Sequence, residues 1–257
     1  MPYIRIHQQR LFYAKQGTLS LRPAVLLVHG AGGSHLDWPP ALRQLPNTAV
    51  YALDLPGHGR SELPGRQTIA GYTDAVIAFI AQLELPRVVV IGHSMGGAVA
   101  QEIGLRQPGW LAGLVLAGTS ARLKVSQALL DSTLTNPAQA VDFITQYAWS
   151  PQADPAQKAL AAKQLSTVPP TILHDDYLAC DGFNRIGQLS GISAPTLIIS
   201  GSADKMTPAK FGKAMADEIP HAQYVEIEGA GHYLMLEQET AVAHAIQTFL
   251  DTLSHSQ

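Results

Sequence analysis

Apolar residues in this chain gather in short continuous runs that stop at glycine or at a polar turn. Six such runs are AVLLVHG (24–30), AVYALDLPG (49–57), RVVVIGH (87–93), LAGLVLAGT (111–119), APTLIISGSAD (194–204) and AQYVEIEG (222–229). Continuous β-branched stretches of this length, without apolar–polar alternation, predict strands buried on both faces. The opening segment differs. Tyr3, Ile4 and Ile6 precede HQQR and Leu11, Phe12 and Tyr13 follow it, which predicts an antiparallel hairpin at a sheet edge.

Between the runs the apolar period becomes helical. TIAGYTDAVIAFIAQLEL (68–85) sets Tyr72, Val76, Phe79, Ile80 and Leu83 on one face. MGGAVAQEIGLRQPG (95–109) and TPAKFGKAMADEIP (207–220) read as further helices, the latter with Thr207 as cap and Pro208 at the first helical position. A last helix begins near Glu237 and runs to about Leu253. Strand–helix alternation predicts an α/β fold, a mostly parallel sheet with helices on both faces. One stretch breaks the rhythm. Residues 122–190 contain no convincing strand but four short helical patterns divided by prolines, SQALLDSTL, PAQAVDFITQYAWS, DPAQKALAAKQLSTV and PPTILHDDYLACDGF. That is too long for a loop. The expected organisation is a core of residues 1–121 and 191–257 with a helical cap inserted over 122–190.

Composition narrows the partners. With 257 residues, 46% of them hydrophobic, the chain can bury a substantial core, and a net charge of −3 offers no field for polyanions. Nucleic acid is therefore not an expected partner. Cys180 is the single cysteine, so neither an intramolecular disulfide nor a thiolate metal cluster can form, and no metal is expected. The first residues lack the apolar core of a signal peptide, and no apolar run approaches the ~18 residues of a membrane span. A soluble, cytoplasmic protein without stable membrane insertion is expected.

The segment VVVIGHSMGGAVAQ (88–101) carries the candidate chemistry. Phosphate-binding loops need Gly-x-x-x-x-Gly-Lys-Ser/Thr or Gly-x-Gly-x-x-Gly after a strand, and Gly92, Gly96 and Gly97 fit neither spacing. Gly92-His93-Ser94-Met95-Gly96 does fit Gly-x-Ser-x-Gly, in which a serine sits at a sharp strand-to-helix bend. A serine hydroxyl is a poor nucleophile at neutral pH, so it needs a base, a group to orient the base, and an oxyanion hole. Asp204, just beyond its strand, and His232, in a glycine loop before the last helix, supply the order Ser…Asp…His at the carboxyl ends of strands. Met95, at a helix N-terminus, and Ala31, in HGAGGS (29–34), are the expected backbone donors. His29, His58 and His93 read as structural histidines, and Asp54 in DLPGHGRS (54–61) as a loop residue.

The segments HGAGGSHLDW, DLPGHGRS, GHSMGG, GSADKMTP and GAGHYLMLEQ occur in an order that resembles the α/β-hydrolases along essentially the whole chain. The resemblance implies an eight-stranded sheet, a helical cap after the sixth strand, and cofactor-free acyl transfer. Family members that dehalogenate or open epoxides carry aspartate where this chain has Ser94, and hydrolases of meta-cleavage products usually carry asparagine where His93 stands. A serine hydrolase of small to medium carboxylic esters is expected, with a small-molecule ester as its partner. A carbon–carbon bond or enol-lactone hydrolase, and a non-turnover receptor on the same fold, stay open beside it. Phe143, Tyr147, Trp149, Tyr177 and Phe183 are the large aromatics of the insertion. Phe143, Tyr147 and Trp149 are expected to wall the substrate pocket.

Overall fold

The computed structural model describes residues 3–254. Eight strands are present: β1 (Tyr3–Ile6), β2 (Gln9–Gln16), β3 (Ala24–Val28), β4 (Val50–Leu53), β5 (Val88–His93), β6 (Leu111–Ala117), β7 (Thr196–Gly201) and β8 (Gln223–Ile227). They form one sheet in the order β1-β2-β4-β3-β5-β6-β7-β8. The β1–β2 hairpin and the β2–β4 pair are antiparallel, and every other pairing is parallel. The antiparallel hairpin thus sits at one edge, and five of the six apolar runs occupy the middle. The sixth, 222–229, forms the opposite edge strand β8, buried only at Ile227 rather than on both faces because no strand pairs beyond it.

Helices follow in the intervals: α1 (Pro40–Arg43), α2 (Ile69–Gln82), α3 (Met95–Arg106), α4 (Gln127–Thr135), α5 (Pro137–Ala148), α6 (Pro155–Leu165), α7 (Pro170–Asp181), α8 (Ala209–Glu218), α9 (Leu234–Glu237) and α10 (Glu239–Ser254). Side chains alternate across each strand, so one run serves two cores. Val25, Leu27, Val89 and Ile91 pack with Leu42 of α1 and with Val242, Ile246 and Phe249 of α10. Leu26, Val28, Val88 and Val90 pack on the other face with Val76, Phe79 and Ile80 of α2 and Val99 and Ile103 of α3. Burial of both faces is why these strands read as continuous apolar runs.

Helices α4 to α7 fill the interval between β6 and β7. Their starts are written locally. Ser126, Asn136 and Asp154 accept first-turn N–H groups of α4, α5 and α6, while Pro137, Pro155 and Pro170 stand at first helical positions. Helix α8 departs from the sequence reading. Pro208, not Thr207, is its N-cap. The Thr207 hydroxyl donates instead to Asp204 Oδ2 at 2.8 Å. The Thr-Pro pair resembles a cap in sequence, but the carboxylate three residues before it turns back and takes the hydroxyl.

Helix α5 buries Ala140, Val141, Ile144 and Ala148, which share one face. Phe143 and Tyr147 flank that face, 39% and 37% exposed, with ring centroids 4.5 Å apart and planes tilted by 35°. Ile144→Ala is therefore expected to cost about 2–5 kcal/mol and Phe143→Ala less than about 1 kcal/mol. Urea unfolding midpoints at unchanged slope measure both, and equal losses would contradict this placement of the helix.

Candidate active site

The turn after β5 is set by how closely backbones pass one another. A Cβ on Gly92 would collide with the carbonyl oxygen of Gly96, and one on Gly96 with that of Val28. Ser94 at the apex has φ 51 and ψ −114, a conformation that costs a non-glycine residue of order 1–3 kcal/mol. Neighbouring bonds hold it there. Ser94 N–H donates to Ala117 O at 3.0 Å, and its carbonyl accepts the Gly97 N–H at 2.9 Å and the Thr119 hydroxyl at 2.8 Å. The side chain is thereby lifted off the sheet at the N-terminus of α3.

Asp204 and His232 reach the same region from the ends of β7 and β8. His232 Nδ1–H donates to Asp204 Oδ2 at 2.9 Å. Asp204 also accepts the N–H groups of Met206 and Thr207 on Oδ1, each at 2.8 Å. Burial by itself would raise its pKa, but His232 and the Thr207 bonds outweigh it and hold the carboxyl below the ordinary range. The imidazole is fixed through its main chain as well. His232 N–H donates to Ala148 O at 2.7 Å, and His232 O accepts His93 Nε2–H at 2.9 Å. With Nδ1 engaged, Nε2 is the ring nitrogen left for a proton transfer, and Ser94 and His232 line one cavity.

Two backbone N–H groups are available beside the serine. Met95 begins α3, so its N–H has no intrahelical acceptor. In the glycine loop after β3, the N–H of Gly32 is taken by Asp176 Oδ2 and that of Gly33 by Gly30 O. The N–H of Ala31 between Gly30 and Gly32 has no acceptor among the described residues. A small cavity of about 40 Å³ is lined by Ala31, Ser94 and His232 together. Asp37, whose carboxyl burial pushes up to about 7, lines it too.

A larger cavity of about 460 Å³ opens at Ser94 and His232, with Leu123, Val125, Tyr177, Cys180, Met206 and Phe211 among its walls. Of the five aromatics singled out in the insertion, Tyr177 alone lines it. Phe143 and Tyr147 are not among its walls and stay more than a third exposed at the margin of the stripe that α5 turns inward. Trp149 is buried against Tyr233, 4.9 Å between centroids, and Phe183 is buried in the core. Met206 and Phe211, after β7, were missed. The Asp204 loop that carries Met206 was read only for its carboxylate. A cavity of about 720 Å³ on the far side of the glycine loop does not reach Ser94. Asp54 accepts His35 N–H and Nδ1–H and Arg60 N–H, and so holds its loop rather than His232. Among the described residues no group of three or more His, Cys, Asp or Glu side chains is placed to hold a metal ion, and no helix is long and apolar enough to cross a membrane.

The chain matches the alpha/beta hydrolase family over residues 25–245, and belongs to it. It is 27% identical to "Putative carbamate hydrolase RutD" of Caulobacter vibrioides, over 91% of this chain and 93% of that one. A thermophilic esterase superposes with a TM-score of 0.86 at 31% identity, covering 98% of this chain and 97% of its own. The enol-lactonase of Burkholderia xenovorans superposes with a TM-score of 0.90 at 25% identity, covering 97% and 100%.

His93 is buried with Nε2 bonded and Nδ1 without a partner among the described residues. Burial first, then the adjacent His232, push its pKa down to about 3. An unfolded imidazole titrates near 6.5, so between these values the unfolded state carries the extra proton. The stability tied to neutral His93 is present above pH 6.5 and is lost as pH falls toward 3. In His93→Asn the pH slope of unfolding free energy between pH 4 and 6 should shrink by about 1.4 kcal/mol per pH unit. Denaturant titrations across that range read the difference, and an unchanged slope would refute it.

Proposed function

We propose that the protein is a serine hydrolase of small to medium carboxylic esters, with Ser94 as nucleophile, His232 as base and Asp204 orienting the base. The observation that carries this reading is the Asp204–His232 bond of 2.9 Å in a buried pocket that Ser94 shares at its strained turn. The ester carbonyl oxygen settles against the N–H groups of Met95 and Ala31. Ser94 attacks the carbonyl carbon as His232 Nε2 takes its proton, and Asp204 stabilises the imidazolium. Collapse of the tetrahedral intermediate returns that proton to the leaving alcohol. Water, deprotonated by the same nitrogen, then releases the acid and restores the serine. Residues 122–190 act as a cap in this reading, and the apolar walls of the 460 Å³ cavity select the acyl group.

An enol-lactone is itself a cyclic ester, and the same steps open it. The similarity to an enol-lactonase at a TM-score of 0.90 favours testing that substrate beside acyclic esters. Carbamates belong in the same panel because of the relative named for carbamate hydrolysis.

Ser94→Ala should lower p-nitrophenyl butyrate turnover by several orders of magnitude. Its melting temperature should stay within a degree or two of the wild type, since one oxygen at a cleft is lost. An organophosphonate should label Ser94 in the wild type, seen by peptide mass spectrometry. Retention of more than about a tenth of wild-type turnover by the alanine variant, or an adduct on another residue, would reject the assignment. A stoichiometric burst without further turnover would identify a receptor instead.

A further inference from the structure

Ala31 lies between two peptide planes that are held in different ways. The Gly30–Ala31 plane is held by its carbonyl, which accepts Gly33 N–H at 3.1 Å and His29 Nδ1–H at 2.8 Å. His29 Nδ1 is the donor because Nε2 accepts the N–H of Leu55 at 3.0 Å. In a trans peptide the N–H points opposite the carbonyl, so Ala31 N–H is turned away from these donors. The Ala31–Gly32 plane is held by its N–H, through a bond of 2.7 Å to Asp176 Oδ2. That acceptor comes from α7, 144 residues away in the chain.

Asp176 is fully buried and takes two more donors, His58 Nε2–H on Oδ2 at 2.7 Å and the Tyr72 hydroxyl on Oδ1 at 2.5 Å. His58 Nδ1 faces the Pro56 carbonyl at 3.0 Å. Both ring nitrogens therefore point at acceptors, which the imidazolium satisfies and neither neutral tautomer does. An anchor between helix and sheet would need only His58 and Tyr72. The third bond goes to a main-chain amide at Gly32, whose φ is +64 and where a Cβ would collide with Leu165 and Leu173 of the inserted helices. The glycine loop is thus pressed by apolar side chains of the insertion and tied by its one buried carboxylate.

We propose that Asp176 is a positioning residue for the oxyanion site: it pins the Ala31–Gly32 peptide on the far side of the Ala31 Cα, and together with the bonds on the Gly30 carbonyl it holds Ala31 N–H toward the carbonyl oxygen above Ser94. His58 and Tyr72 aim the carboxylate. The inference rests on the serine-hydrolase reading and on Ala31 as a donor in it. Its consequence is that docking of the insertion and assembly of the oxyanion site are one event.

The test compares Asp176→Asn with Leu130→Ala, which removes buried apolar volume from α4 without touching the loop. Both are assayed well below their unfolding midpoints, with p-nitrophenyl butyrate and with a trifluoromethyl ketone whose adduct places an oxyanion in the site. Asp176→Asn should lower kcat about 10- to 100-fold with KM changed less than about threefold, and weaken the ketone by a similar factor. Leu130→Ala should keep kcat at a comparable loss of melting temperature. A kcat for Asp176→Asn within about twofold of wild type, or equal losses in both variants, would overturn the proposal. If Asp176→Asn does not fold, Tyr72→Phe takes its place. It should lower kcat about three- to tenfold at constant KM, and an unchanged kcat would overturn the proposal. Should the wild type hydrolyse no ester, the serine-hydrolase reading falls on its own. The amide resonance of Ala31 then decides the brace: a shift in the folded Asp176 or Tyr72 variant supports it, and an unmoved resonance rejects it.

Discussion

Main chain packs directly on main chain where β5 turns into α3, and the rest of the architecture is arranged around that crowding. The carbonyls of Val28 and Gly96 occupy space that side chains at 96 and 92 would need. Two parallel strands and one helix N-terminus can meet this closely only through glycine. The same contact fixes where β3 and β5 end, and hence where the glycine loop and the serine stand relative to each other. The loops after β7 and β8 then bring a carboxylate and an imidazole to that point from neighbouring strand ends, as open α/β sheets commonly do.

Four histidines lie buried in two tilted ring pairs, His29 with His58 and His93 with His232, each 4.8 Å between ring centroids. Charge is unevenly divided within the first pair. Burial would lower the pKa of His58, yet Asp176 and the Pro56 carbonyl raise it. Burial and the neighbouring His58 charge bring His29 down to about 4. His29 stays neutral, and that tautomer holds Gly30. In the second pair His93 stays neutral and props the main chain of His232. Each pair thus joins one ring that serves as a fixed dipole to one with a carboxylate partner, Asp176 or Asp204.

Much of the fold was legible in the chain because burial on both sheet faces writes itself as continuous apolar runs. The Gly-x-Ser-x-Gly turn and the loops carrying Asp204 and His232 were equally plain, since glycine and acidic punctuation marks strand ends. The pocket walls were read poorly for a local reason. Size alone points to Phe143 and Tyr147, although the phase of Ala140, Val141, Ile144 and Ala148 leaves them at the margin of the buried stripe. His58 and Asp54 were rightly assigned to loop support. The partner of His58 was not visible, since Asp176 lies 118 residues away, within a proline-led helix whose pattern does not mark it. Likewise Thr207 was read as a cap, and the carboxylate three residues before it takes the hydroxyl.

The bond from His232 N–H to Ala148 O joins the His232 loop to the last residue of α5 through main-chain atoms alone. Such a contact is blind to side-chain identity. It demands only that a carbonyl arrive at the right place, which is a condition on the length of α5 and on where Pro137 starts it. Exposed side chains along that helix are free to diverge, whereas a one-residue insertion or deletion would rotate the terminal carbonyl by about 100° and withdraw it. The outer side of α5 can therefore be rewritten residue by residue far more readily than the helix can be lengthened.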